Sequence, residues 1–165
     1  MSSARQARTR LLLVMAFLLG LHFYLRPRLF DVRLAPDFLL IALLVYSIRS
    51  RPGNAAIVGF IVGVMADSLS PARFGAAALA HTVVGYLTAW GRAVFFADNL
   101  IVNAGVFAGG LWLRDFLVLL ASGTASGELI NKLVIWSPLH AVTTAVAGVL
   151  VLLLFRDWLE IRLEE

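Results

Sequence analysis

Apolar residues run along this chain in long blocks, without the alternation of a strand or the two-sided pattern of a surface helix, and polar residues collect at a few short breaks. Six apolar segments are separated in this way, over residues 11–25, 36–48, 55–65, 74–90, 100–120 and 138–155. The breaks carry turn chemistry: RPR around Pro27, SRPGN around Pro52, SLSP ending at Pro71, and SGTASG around Gly123. Helices apolar on every side need a surrounding other than water. The pattern therefore predicts an all-α, polytopic integral membrane helical bundle of about six transmembrane helices, in a single transmembrane domain over residues 1–165. A crossing takes roughly 20 residues. The second and third segments fall short of that. They are expected to reach across by snorkelling of Arg49 and Arg51, by local thinning of the bilayer, or by starting within LFDVRLA. Five spans is the alternative count.

Composition sharpens this reading. Hydrophobic residues make up 61% of the chain and charged ones 15%, which argues against a water-soluble domain. With no cysteine, disulfides, thiolate metal sites and cysteine nucleophiles are excluded. The net charge of +4 is not gathered into a basic patch with interleaved aromatics, so nucleic acid is not expected as a partner. The first apolar run follows Arg5, Arg8 and Arg10, as a secretory signal would. It lacks a small-residue cleavage site, however, and continues into HFYLRPR, so it reads as a retained helix. Cations gather on the cytoplasmic side of membrane proteins. With six spans and the amino terminus inside, Arg5, Arg8, Arg10, Arg49, Arg51, Arg92, Arg156 and Arg162 lie inside. Arg26, Arg28, Arg33, Arg73, Arg114 and Lys132 then lie outside. Both termini are expected in the cytoplasm.

Candidate chemistry is sparse. The stretch VMADSLSPARFGAAALAHTVVGY places Asp67, Ser68, Ser70, Pro71, Arg73 and Gly75 between two apolar runs. It reads as a tight helical hairpin, with Ser68 and Ser70 capping the fourth helix, Pro71 in a first turn and Gly75 allowing close approach. Arg114 lies about 21 Å along the fifth span, level with Asp67. Its neighbour Asp115 points to another face. Ionisable groups at such depth face the bundle interior and find partners, so interhelical pairs of Asp67 with Arg114 and of Asp115 with Arg73 are expected. Two GxxxG patterns, Gly59 to Gly63 and Gly105 to Gly109, allow helices to approach closely. They predict a tight centre formed by the third, fourth and fifth spans, a homodimer face being the other use of such a motif. His22, His81 and His140 fall on separate spans without ligand spacing, so neither a metal nor any other cofactor is expected. No GxSxG elbow or phosphate-binding loop is present, and catalysis is not supported. After the last span, RDWLEIRLEE sets Trp158 where an interfacial anchor is expected.

The middle of the chain resembles the bacterial rod shape-determining protein MreD family. The residues that carry the resemblance are Pro36 and Asp37 opening the second span, then RSRPGNAAIVGFIVGVMADSLSP, then FGAAALAHTVVGY. Within these, Gly59, Gly63, Asp67, Leu69, Ser70, Gly75, Ala78, Leu79, Gly85 and Tyr86 follow the family pattern over residues 36 to 90. The resemblance implies a non-enzymatic protein of the bacterial inner membrane, multi-pass and surrounded by lipid. Its implied partners are MreC directly and, through the elongation complex that inserts peptidoglycan, the MreB filament, RodA and a penicillin-binding transpeptidase. It also implies similarity to the six-helix S-component fold of energy-coupling factor transporters.

Two functions are therefore weighed. One is a scaffold that holds the MreC transmembrane helix, with Asp67, Ser70 and Gly75 keeping an outer hairpin rigid. The other is a solute-binding transporter subunit with an exterior cavity lined by His81, Asn103, Trp112 and Arg114. The interaction candidates are Pro36, Asp37, Gly59, Gly63, Asp67, Ser70, Gly75, Gly85, Tyr86, Arg114 and Asp115.

Overall fold

A computed structural model describes residues 2–29, 34–91, 99–124 and 126–159. In chain order the elements are α1 (Ser2–Tyr24), a short 3-10 turn (Arg26–Arg28), α2 (Phe38–Ser47) and α3 (Pro52–Asp67). A second 3-10 turn (Pro71–Arg73), α4 (Ala76–Gly91) and α5 (Leu100–Ala121) follow, then α6 (Ser126–Asn131), a π-helical turn (Lys132–Trp136) and α7 (Ser137–Leu159). Among the described residues there is no strand, and each of the six apolar segments is helical. Arg33, Arg92, Arg162, the part of LFDVRLA at 30–33 and the residues after 159 lie outside the described residues.

Three helical stretches are long and apolar enough to cross a membrane: Arg5–Arg28, Leu100–Ala121 and Gly127–Arg156. The last is 30 residues, about 45 Å long, and so exceeds one hydrocarbon layer. Its irregularity has a local cause. Pro138 has no N–H to donate, and its ring would clash with the carbonyl four residues back, inside the π turn. The widened turn relieves that clash, and the Ser137 amide bonds the carbonyl of Lys132 instead.

The shorter helices take their places through packing. α2 has only 10 residues, about 15 Å. Nearly all are buried: Phe38 through Val45, and Ser47. It packs against α1, α3, α4, α5 and α7, so protein surrounds most of its circumference. This corrects the expected centre: α2 is the innermost element, not the third to fifth spans together. A short segment that is apolar on every side satisfies hydropathy equally well against lipid or protein, so the sequence pattern left this open.

The expected packing of α3 on α4 and of α4 on α5 does form, and α3 and α4 approach most closely. A side chain at Gly59 would collide with the carbonyl of His81, and one at Gly63 with the backbone of Ala77 and Ala78. Gly85 closes the same interface from α4, where an added Cβ would stand 2.7 Å from the Ala55 carbonyl oxygen. The second GxxxG behaves differently, because Gly105 and Gly109 meet nothing within 4 Å. α5 packs on both α4 and α7, and it meets α7 through the buried ring of Phe107, against which Gly148 lies flat. Around the outside, Leu13, Phe17, Ile61, Ile101, Val146 and Leu154 stand exposed, with Ile101 at 82%. An apolar belt of this extent matches a lipid environment and not an aqueous one.

Candidate functional site

The ion-paired side chains buried in this bundle gather at the end where α1 finishes and α2 and α7 begin. Asp37 caps α2: its Oδ1 accepts from the Leu40 amide at 3.1 Å, while its own amide donates to Thr144 Oγ1 on α7 at 3.2 Å. Arg114, near the end of α5, forks between two carboxylates. Its Nη2 donates to Asp37 Oδ2, and its Nη1 lies 2.8 Å from Asp115 Oδ1. The second oxygen of Asp115 accepts from Ser137 Oγ at 2.7 Å and lies 3.9 Å from His140 Nδ1. The other nitrogen of His140, Nε2, is 2.9 Å from the Ala35 carbonyl and donates to it. On α1, His22 Nδ1 lies 3.3 Å from the Leu39 amide and 3.4 Å from Asp37 Oδ1. A neutral ring serves one of these two at a time. The guanidinium is thus compensated twice over, and each carboxylate is further satisfied by an amide or a hydroxyl.

This differs from the expected pairing. Asp67 does not meet Arg114. It is buried, and its carboxylate accepts three backbone amides at the start of α4: Gly75 at 2.9 Å, Ala77 at 3.0 Å and Ala78 at 2.9 Å. The amino end of a helix presents unpaired N–H groups and positive dipole, so one carboxylate replaces the serine caps. Ser68 Oγ donates back to the Met65 carbonyl at 2.6 Å, and Ser70 is exposed and makes no side-chain cap. Gly75 is needed for its φ of +98°, not for close approach, since nothing lies within 4 Å of a Cβ built there. Asp115 pairs with its neighbour Arg114, not with Arg73, because the long Arg114 side chain brings its guanidinium back across the face that separates adjacent residues.

The other candidates scatter. Pro36 is half-buried next to Asp37 and leads into the cap, Gly59, Gly63 and Gly85 serve the α3–α4 contact, and Tyr86 is exposed on the outer surface. The four residues proposed to line one solute cavity do not converge. Arg114 lines a polar cavity of about 550 Å³, and Asn103 an apolar groove of about 230 Å³ between α4 and α5. His81 lines neither, its Nδ1 lying 2.8 Å from the Ala77 carbonyl, and Trp112 is an exposed ring stacked on Phe116.

His22, Thr144, Ser137 and His140 belong to the ion cluster, and sequence reasoning did not place them there. The available signal was that His22, Thr144 and His140 are polar residues inside apolar segments, where a partner is required, and that Ser137 borders one. Among the described residues no three His, Asp or Glu side chains are placed to hold a metal ion. Ser137 gives its hydroxyl proton to Asp115, and His140 Nε2 is committed to Ala35, so the two do not form a nucleophile and base. The arrangement ties α1, α2, α5 and α7 into one unit.

In comparison with known proteins, the family model described as rod shape-determining protein MreD matches residues 5–157. Comparisons with curated proteins and with solved structures each find no match.

Proposed function

This chain belongs to the MreD family of rod shape-determining membrane proteins, and from that premise we propose that it is a non-enzymatic component of the cell-elongation complex in the bacterial inner membrane. In this reading it binds MreC and helps to organise the peptidoglycan synthases that build a rod, with MreB, RodA and a penicillin-binding transpeptidase reached through the same complex. The observation that carries the reading is the family match over residues 5–157. Two features support it. The exposed apolar surface can accept a further transmembrane helix. The hairpin between α3 and α4 is held rigid by the Asp67 carboxylate, so the surface beside it keeps a fixed shape.

In the same proposal all six apolar helices cross the membrane with both termini in the cytoplasm, on a plan similar to the S-components of energy-coupling factor transporters. Because the chain has no cysteine, single cysteines at Ser2→Cys and Arg73→Cys test this directly. A membrane-impermeant thiol reagent added outside should label the second and spare the first, and the opposite result overturns the topology. The functional test is co-purification of an MreC chain from detergent together with depletion in a rod-shaped host. Co-purification and rounding of the cells are expected. A host that keeps its rod shape on depletion refutes the assignment.

A further inference from the structure

The polar cavity beside the ion cluster has a composition that the cluster itself does not need. Arg73 from the turn before α4, Arg114 from α5 and Lys132 from the π turn all line it, together with Asn131, Ser137 and His140. Its remaining wall includes the apolar side chains of Val118, Leu119 and Trp136. Counting about 20 residues, one crossing, back along the last helix from Arg156 reaches Trp136. Asn131 and Lys132 therefore stand at the level of lipid headgroups, and the apolar wall stands at the edge of the hydrocarbon. A volume of about 550 Å³ accommodates a headgroup-sized molecule.

The charges in this cavity are only partly committed. Arg114 is held by Asp37 and Asp115, yet its Nε finds no hydrogen-bond partner among the described residues. Lys132 Nζ is 2.5 Å from Glu128, one turn back on a solvent-facing surface, and a pair of that kind contributes little and exchanges readily. Arg73 is exposed at the rim and is close enough to act electrostatically on the same Glu128. With Asp37, which shares Arg114, the carboxylates Asp37, Asp115 and Glu128 balance the three cations in number, and Arg73 at the rim, in no ion pair among the described residues, is the charge left open to a ligand.

We propose that this cavity binds a phosphate group, with Arg73 and Lys132 as the contacting cations, the neutralised Arg114–Asp115 pair as the inner wall, Asn131 and Ser137 as polar neighbours, and the Val118–Trp136 side receiving the apolar part of a phospholipid. The site does not depend on the partner proposed above. Two sources of phosphate share this chemistry, an anionic lipid headgroup and the free anion.

Native mass spectrometry of the full chain released from detergent tests it. The probes are phosphatidylglycerol, diacylglycerol with the same acyl chains, and inorganic phosphate as competitor. The protein should retain phosphatidylglycerol and not diacylglycerol. Arg73→Ala/Lys132→Ala should weaken retention by about tenfold or more, the loss expected for charge-assisted contacts. Both side chains lie outside the Asp37–Arg114–Asp115 group, so the variant should melt like the parent. Arg5→Ala/Arg8→Ala removes the same charge far along the chain and should leave retention unchanged. Displacement by inorganic phosphate assigns the free anion as occupant, and its failure to displace assigns the lipid. Undiminished retention in the Arg73/Lys132 variant, or an equal loss in the Arg5/Arg8 variant, overturns the site.

Discussion

Asp37 and Asp67 are both buried aspartates at a helix start or hairpin, and they solve the problem of a carboxylate in an apolar layer in opposite ways. Asp67 is satisfied by amides alone. Asp37 has one amide and a guanidinium. Removing a partner has correspondingly different costs. Arg114→Ala leaves Asp37 buried without its counter-charge, and a loss of about 3–5 kcal/mol of stability is expected from detergent-solubilised unfolding curves. Asp67→Ala strands three amides, of which the surrounding turn can re-solvate some, and a loss of about 1–3 kcal/mol is expected by the same measurement. Because the two aspartates belong to separate groups, the double variant Asp67→Arg/Arg114→Asp should be worse than either single change. Mutual rescue in a melting assay would contradict the separation.

At the scale of elements, glycines of identical spacing have different roles. Gly59 and Gly63 face backbone of α4 directly, so Gly63→Leu must push two helices apart, and a loss of about 1–3 kcal/mol or more is expected. Gly105→Leu meets open space and should leave the melting temperature of the isolated protein nearly unchanged. Comparing the two variants in one unfolding assay checks the assignment, and equal damage would place an unseen contact at α5. Spacing identified both motifs as potential close-approach surfaces, and the structure used one internally. What decides between them is the partner opposite: the Ala-rich start of α4 lies against Gly59 and Gly63, whereas Gly105 and Gly109 line an open groove beside α4.

For the whole molecule, the belt of exposed Leu, Ile, Val and Phe side chains predicts that the chain is monodisperse in detergent and aggregates when detergent is removed, as sedimentation would show. The charged interior is concentrated at one end of the bundle. That end fastens α1, α2, α5 and α7 through ion pairs, while the buried polar side chains at the opposite end, Ser47 and Asn103, are uncharged. Damage to the cluster should therefore loosen four helices together, which hydrogen exchange in detergent can follow.

Block hydrophobicity by itself determined that the chain is helical and lipid-facing, because backbone groups in a bilayer must be satisfied within each segment and a run of apolar residues has no other stable state there. It also placed the breaks around Pro27, Pro52, Pro71 and Gly123, where Pro, Gly and Ser interrupt the runs and helices end, whereas the connection between α4 and α5 carries no such signal and its residues 92–98 lie outside the described residues. The sequence could show that Asp37, Asp67, Arg114 and Asp115 need partners, for a charge in such a layer demands one. Which partner each takes was decided only by the tertiary structure. Sequence depth fixes how far along a helix a side chain stands, but not which face of which neighbour it meets. A burial choice such as that of α2 depends on the helices that surround it: its ten residues are too few for a full crossing, yet their hydropathy alone does not distinguish lipid from protein.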